Sequence, residues 1–586
     1  MFRTTNPQES LLQSRFLVPS AKRERMERSW ARVFHERILA LIDEEMFRSG
    51  FCDDNGRPNK SIRLLVAIHL LKAWFDMTDE QVLENVEFNL LWQYALGLTA
   101  EEAHLCQKTM HNFRVRLMEN DLATAEFDHV TKRLVEIDGL SVSRQRLDST
   151  HVISDIAVLT RLGLFVETVT NFLRELKREE TGKLESLGKV LFKRYLDREG
   201  YFSDAKREQS RRRLGVVAQD LLYLVRRFEG DEGVKEWESY QVMDRLLREQ
   251  CDVIGSEDDD DAAGGSSGKE RLKLKEPKEV GSDSLQSPYD PDATYGHKGK
   301  GYEVQIAETC VEGNPYQVVT DVEVNGAHES DQKATVPVME KLDEKGLLPE
   351  VVFADTNYGS GENIVACAEM GVDLQTPVHD PDAPPKADPR WETPSADVPL
   401  PPDAAQDIAQ PEVDTPAGEH GSDQVVGLDS FRYNETFSEV IACPRGDRPM
   451  SQEIPGGNKP NKATFDGERC RACPLAGTCP TRPQSKSGDR VLKWRAPKTA
   501  TATRQREQRE PAFKKDYQIR SGIESTAAEF KGGNGTKVFR VRGQDRVAMS
   551  AVLEALSMNV KRAIRYHLDK LLQPIEPSLE GLPAEA

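Results

Sequence analysis

The sequence has no run of eighteen apolar residues, and no charged-then-apolar leader opens it. These two absences predict a chain that neither spans a membrane nor is secreted. Cysteine is scarce, nine in 586 residues and an odd number, which in a long chain without a leader points to a reducing cytoplasm. Positive charge is short as well. The formal net charge of −19 on its face argues against a nucleic-acid partner. Its distribution argues the other way. Counting Lys and Arg against Asp and Glu, residues 251–450 sum to −27 and residues 481–550 to +10. The acidity sits in linker-like stretches, and local charge decides which ligand a surface attracts.

A chain of this length is too long for one hydrophobic core and predicts three or four structural units. Residues 1–135 read as a helical N-terminal domain. There "SWARVFHERILALIDEEMF" and "SIRLLVAIHLLKAWF" space apolar residues by three and four, and Thr78 with Gln81 predicts a capping box. Residues 140–154 hold a strand, "SVSRQRLDS", which alternates polar with apolar and β-branched residues. Residues 155–252 predict a helical insertion with a mixed-charge surface, and 253–286 a disordered acidic linker, "GSEDDDDAAGGSSGKE". Strand-like runs return within 287–377 at "GYEVQIAETC", "YQVVTDVEV" and "EVVFADT", with a helix across 329–345. Residues 378–430, rich in Pro, Asp and Ala, predict a second disordered segment. Residues 431–495 carry a cysteine cluster and 496–570 are helical. Without the insertion, the order of strands and helices suits an α/β domain with a mixed sheet.

The stretch "YQIRSGIESTAAEFK" carries the chemistry. At 100° per residue, Tyr517, Arg520, Glu524 and Lys531 share an arc of about 60° on one helix. A stripe that faces a core should be apolar, yet this one bears a phenol, two cations and a carboxylate. Alone it reads equally well as a solvated face of ion pairs. Its partners lie in "RLDST" and "VFADTNYGSGEN", where Asp148 and Asp355 follow apolar residues at expected strand ends. Catalytic groups of α/β sheets gather at such ends. A strand-end aspartate is usually a turn or cap residue, and the chain has 98 acidic residues. The conjunction is more specific than any member. Asp148, Asp355 and Glu524 form a carboxylate set able to hold two divalent cations, Mg²⁺ (or Mn²⁺), for phosphoryl transfer on DNA. Arg520 and Lys531 are placed to grip phosphates, and Tyr517 to hydrogen-bond or stack there.

Taken together, these residues resemble a DDE insertion-sequence transposase of the RNase H-like fold, in the group with a Tyr-Arg-Glu-Lys signature. The matching stretches are "QRLDSTHVISDIAVLTRLGLF" around Asp148, "VFADTNYGS" around Asp355, and Tyr517, Arg520, Glu524 and Lys531. "GRPNKSIRLLVAIHLLKAW" and "TMHNFRVRL" resemble that group's helical N-terminal domain, and "NGAHESDQ" and "FRVRGQDRVAMSAVLEALSMNVKR" are similar to it as well. The resemblance implies an RNase H-like mixed sheet with a helical N-terminal domain for DNA-end binding or dimerisation. It also implies metal-dependent cleavage at the ends of a mobile element, with 3′-hydroxyl strand transfer into target DNA. The implied partners are double-stranded DNA, at terminal inverted repeats and target, and a second copy in a homodimer. The implied place is the cytoplasm of a prokaryote, at the nucleoid. The long acidic inserts depart from the group's most compact members. A catalytically silent, transposase-derived DNA-binding protein and an RNase H-like metal-dependent nuclease are the competing readings. The intact carboxylates argue against the first, and the full Tyr-Arg-Glu-Lys set against the second.

Cys443, Cys470, Cys473 and Cys479, in "IACPRGD" and "ERCRACPLAGTCP", make a candidate structural Zn²⁺ site. Reduced thiols without metal are the alternative. Trp494, in "RVLKWRAPK", has a ring among cations that suits stacking on an unpaired base, or else anchors the cysteine insert. His151 and His328 lie near the expected site but read as packing or hydrogen-bonding residues.

Overall fold

Two capping side chains set the N-terminal helices. Ser61 accepts a hydrogen bond from the Leu64 amide at the start of α1 (Ile62–Trp74), and Thr78 forms the expected capping box with Gln81 at the start of α2 (Asp79–Phe88). Helices α3 (Gln107–Glu119) and α4 (Leu122–Asp138) follow. The computed structural model describes residues 2–5, 12–52, 58–157, 159–197, 207–254, 271–381, 426–457, 459–532 and 537–573. The chain divides into two units, Met1–Phe353 with Ile519–Ala586, and Ala354–Gln518. Among the described residues no helix is long and apolar enough to cross a membrane.

In the first unit, β1 (Arg144–Ile153) leads into the insertion, α5 (Arg161–Glu179), α6 (Arg207–Phe228) and α7 (Glu238–Gln250). These helices close on their own core, with Phe165, Phe172, Leu221, Phe228 and Met243 buried. The segment 253–286 is not a single disordered linker. Strand β2 (Cys251–Ile254) pairs antiparallel with β3 (Arg271–Leu274), and Leu285 is buried in the insertion core. Apolar Leu272, Leu274 and Leu285 within an otherwise polar stretch give it something to bury. Residues 255–270 lie outside the described residues.

The main sheet of this unit contains β4 (Thr294–Gly296), β5 (Gly299–Thr309) and β6 (Val319–Gly326), followed by α8 (Asp331–Glu344) and β7 (Val351–Ala354). The order is β4-β5-β1-β7, with β6 also paired to β5. β1 runs antiparallel to β5 over its length, Gln145 opposite Thr309 and Val152 opposite Tyr302. β5 is buried from Gly301 to Thr309, its polar residues Glu303, Gln305 and Glu308 included. Asp148, expected at a strand end, therefore lies mid-strand opposite Ile306. Pairing with β5 carries β1 on through the polar residues Ser149 to His151, where local alternation suggests an end.

The second unit begins with Asp355, just beyond β7. It contains α9 (Gly361–Glu369), an antiparallel sheet with β9 (Asn461–Phe465) between β8 (Ser451–Glu453) and β10 (Arg490–Trp494), then α10 (Ala496–Glu507) and α11 (Pro511–Tyr517). Val426, Phe431, Phe465, Leu492 and Trp494 form a small core there. The far end of the expected disordered segment 378–430 is thus folded, while 382–425 lies outside the described residues. α9 and α10 approach so closely that a β-carbon on Gly361 would stand 1.9 Å from the Pro497 carbonyl oxygen.

The chain then returns to the first unit with a 3₁₀ turn (Gln518–Gly522), α12 (Ile523–Phe530), β11 (Lys537–Val538) parallel to β1, and α13 (Gln544–Leu572). α13 packs on α1, α4 and β6, so residues from both ends of the chain share one hydrophobic core.

Candidate active site

Tyr517 to Lys531 is not one helix. α11 ends at Tyr517, a 3₁₀ turn intervenes, and α12 starts at Ile523. The turn's shape comes from residues far away in sequence. Arg146, on β1, donates through Nη1 to the Ile519 carbonyl (3.2 Å) and through Nε to Glu308 (2.7 Å). Its guanidinium passes so near Gly522 that a β-carbon there would stand 1.8 Å from Nη1. Glu308 is fully buried, and its other oxygen accepts from Thr526 on α12 (2.7 Å) and from Arg562 on α13 (2.5 Å). Arg562 also donates to Glu529 at 2.9 Å. Burial works against the charge on Arg562, but Glu308 and Glu529 outweigh it and hold the guanidinium above its ordinary pKa. Burial likewise disfavours the Glu529 carboxylate, yet Arg562 and Lys561 hold its pKa below the usual range.

This buried network presents the polar face above it. Asp148 accepts from Arg520 at 2.7 Å and from the Ser149 amide at 2.9 Å. The same guanidinium stands 3.9 Å from Glu524, whose side chain is 74% exposed. One cation therefore lies between two carboxylates. Lys531 caps the end of α12. Burial and the neighbouring charge of Lys298 lower its pKa, against the pull of Glu303 and Asp148. Lys298, in the β4–β5 turn, donates to the Ser149 carbonyl (3.3 Å) and to Glu303 (3.4 Å). Burial would raise the Glu303 carboxyl, but His151 and Lys298 outweigh it and lower it.

The first unit thus gathers Asp148, Arg520, Glu524 and Lys531, four of the expected residues. Asp355 and Tyr517 belong to the second unit. There Asp355 accepts from the Asn357 amide at 2.7 Å, and its carbonyl accepts from Thr376 at 2.6 Å. Tyr517 donates its hydroxyl to the Ala354 carbonyl (2.9 Å) and stacks on Phe513. Sequence reading missed Lys298, Glu303 and the Arg146–Glu308–Arg562 network. "GHKGKGYE" offered a basic, glycine-rich turn as a signal for Lys298; the network had none, since its members are more than a hundred residues apart.

Trp494 does not offer its ring to a base. It is 2% exposed in the core of the second unit, and its indole N–H donates to the Phe437 carbonyl at 2.8 Å. The apolar neighbours Phe465 and Leu492 made it a core residue, whatever the flanking cations. Cys443, Cys470 and Cys479 pack against that core. Burial raises the Cys470 thiol, and the nearby Cys479, Cys443 and Cys473 add to the shift. The four sulfurs have zinc's donor chemistry, but among the described residues no three His, Cys, Asp or Glu side chains converge as a metal site. The same holds for the carboxylates: Asp148 and Glu524 offer the oxygen donors that a hard divalent cation takes, but they flank the Arg520 guanidinium, and among the described residues no third carboxylate joins them.

Comparison with known proteins bears on two stretches of the chain. Residues 442–564, which include Glu524, match a family described as a transposase DDE domain. Residues 23–116 match a transposase domain family, DUF772. A Rhizobium meliloti protein, described as uncharacterized protein ORF8 in the nfe locus, is 31% identical over 114 residues, 19% of this chain. The chain spans 45% of that relative's length. No solved structure matches. With a match to a transposase domain near one end and to a transposase DDE domain near the other, on an α/β scaffold, the chain is similar to DDE insertion-sequence transposases.

Proposed function

We propose that this chain cleaves DNA at the ends of its mobile element and joins the freed 3′-hydroxyl to target DNA, acting as a homodimer at the nucleoid. The observation that carries the reading is the Arg520 guanidinium held between Asp148 and Glu524. Asp148, Glu524 and Asp355 would hold Mg²⁺ or Mn²⁺; Asp355 is assigned from its "VFADTNYGS" motif and the family resemblance. The chemistry that a bound ion would supply there is activation of the attacking oxygen and neutralisation of the leaving one. The chain's own cations do the positioning. Arg520 exchanges its carboxylate partners for a non-bridging phosphate oxygen, a charge-assisted bond that a guanidinium makes well. Lys531 and Lys298 meet the remaining phosphate charge beside Asp148. Glu303 holds Lys298 in place, and His151 stands against the other oxygen of Glu303. Tyr517, tied to the Ala354 carbonyl, orients the backbone that leads to Asp355.

The test uses a supercoiled plasmid that carries the DNA bordering the gene. Asp148→Asn and Glu524→Gln should each abolish Mg²⁺-dependent cleavage and strand transfer while DNA binding persists, because each removes a charge with little change of shape. Wild-type cleavage by either variant would remove that residue from the active site.

A further inference from the structure

"FRVRGQDR", from Phe539 to Arg546, buries Phe539 and leaves Arg540 and Arg542 outside. Arg540 stands at a bend just past β11, and both arginines line the same cavity. One residue past Arg542, Gly543 turns the chain into α13, and Arg546 emerges from its first turn. These three exposed guanidinium groups form one wall of a cavity of about 480 Å³, and His111 and Arg114 of α3 form the other. Around it stand four arginines against one carboxylate, Asp155. A second cavity of about 460 Å³, floored by Phe539, Met549 and Leu553, adjoins it and shares Arg114 and Arg540. There Asp76, Asp79, Glu80 and Glu554 balance Lys72, Arg114, Lys537 and Arg540, so the excess of positive charge belongs to the first cavity, and that cavity is the cationic groove.

Three of the arginines are held by carboxylates. Arg114 pairs with Asp79 (2.6 Å), Arg540 with Asp76 (3.1 Å) and Arg542 with Asp155 (3.2 Å). The last two pairs are exposed on both sides, and exposed ion pairs are weak. Arg540 donates as well to the Asp76 and Met77 carbonyls, and Arg542 to the Asp155 carbonyl (2.6 Å), which fixes where the two guanidinium groups stand. Arg546 has no ion-pair partner among the described residues. One wall lies in the region matched by the DUF772 family and the other in the region matched by the DDE domain.

We propose that this groove seats the sugar–phosphate backbone of duplex DNA, with Arg540, Arg542 and Arg546 on successive phosphates and His111 and Arg114 facing them. The assignment rests on the transposase reading and adds to it a contact surface built apart from the carboxylates. Phosphate suits the groove better than an acidic peptide does. Guanidinium groups clustered around one cavity match closely spaced monoanions, and guanidinium–phosphate bonds are strong and bidentate.

Phosphate contacts are independent of sequence, so a random-sequence duplex of about 30 base pairs serves as the probe for fluorescence anisotropy, without divalent ions, across a NaCl series. The full-length chain is compared with Arg546→Gln, with the triple variant Arg540→Gln/Arg542→Gln/Arg546→Gln, and with Arg227→Gln on α6 as a distant control. Arg546→Gln should lower the slope of log affinity against log salt by about 0.9, and the triple variant by about 2–3. Arg227→Gln should leave it unchanged. A triple variant with wild-type circular dichroism and an unchanged slope overturns the proposal. Arg546→Gln breaks no ion pair, so its slope decides the matter if the triple variant unfolds. Plasmid cleavage by the wild type, run in parallel, separates the two readings. Cleavage with an unchanged slope sinks the groove alone, whereas a wild type that neither cuts nor binds DNA sinks both.

Discussion

Glu126, on α4, is 2% exposed, and neither of its carboxylate oxygens accepts a hydrogen bond among the described residues. Burial, reinforced by the charge of Asp43, raises its pKa to about 8. His69, on α1, is buried too, and burial lowers it to about 4. The two pull stability in opposite directions. Glu126 has a folded pKa above its unfolded value of 4.5, so its contribution is full below that pH and is lost as pH rises towards 8. His69 has a depressed folded pKa, so its contribution is full above 6.5 and is lost as pH falls through 4. Between about 4.5 and 6.5 the slopes offset each other; above 6.5 only Glu126 remains. Glu126→Gln should therefore erase a loss of about 2 kcal/mol that the wild type suffers between pH 6.5 and 8 in urea unfolding. A variant whose stability falls as steeply as the wild type's over that interval would show that Glu126 titrates normally. Single residues are unevenly legible from sequence. The Thr78 capping box is a local pattern and forms as expected, whereas the burial of Glu126 and of Trp494 depends on helices and strands that no local pattern names.

At the scale of elements, the decisive object is α12, which carries Glu524. Three anchors hold it: Arg146 on the Ile519 carbonyl, Thr526 on Glu308, and Arg562 on Glu529. Glu308 joins all three. Glu308→Gln leaves Arg146 and Arg562 short of a buried counter-charge, and breaking a buried ion pair on one side costs about 3–5 kcal/mol. Thr526→Val removes a single hydrogen bond to the same carboxylate, worth about 1 kcal/mol. Thermal unfolding should rank the variants in that order, and plasmid cleavage should fall further in Glu308→Gln. Equal, small effects would mean that the helix holds its place without the network. The same network explains why helical periodicity fails here. The 100° rule places Tyr517, Arg520, Glu524 and Lys531 on one arc, but a carbonyl that accepts from Arg146, and a glycine that makes room for it, break the run into two helices. Asp148 teaches the same lesson on the strand. Its surroundings suggest an end, and pairing with β5 makes a middle.

For the first unit as a whole, the binding piece is α13. The helical character of residues 1–135, the strands of 287–377 and the closing helices are all legible, because apolar spacing is a local signal. That the last helix completes the core of the first is not, because it is a contact across some four hundred residues. Asn559 shows how it is made. Fully buried on α13, it accepts from the Val319 amide (2.8 Å) and donates to the Val319 carbonyl (2.7 Å) and to Thr131 on α4 (3.1 Å). One side chain thus ties the C-terminal helix to the edge of the sheet and to the N-terminal helices. Asn559→Leu keeps approximate volume but strands two backbone groups and a hydroxyl in an apolar core. Each unsatisfied buried group costs about 1–3 kcal/mol, so the variant should lose about 3–5 kcal/mol in all. The loss should appear as one cooperative shift, because helices 62–138, the sheet and α13 share a single core. Urea unfolding followed separately by circular dichroism and by tryptophan fluorescence would check it, in a chain with Trp237, Trp391 and Trp494 replaced by Phe so that Trp30, Trp74 and Trp92 of the N-terminal helices give the signal. Coincident transitions moving together to lower urea support one folding unit. A shift in the dichroism alone would mean that the N-terminal helices fold independently of the C-terminal helix that covers them.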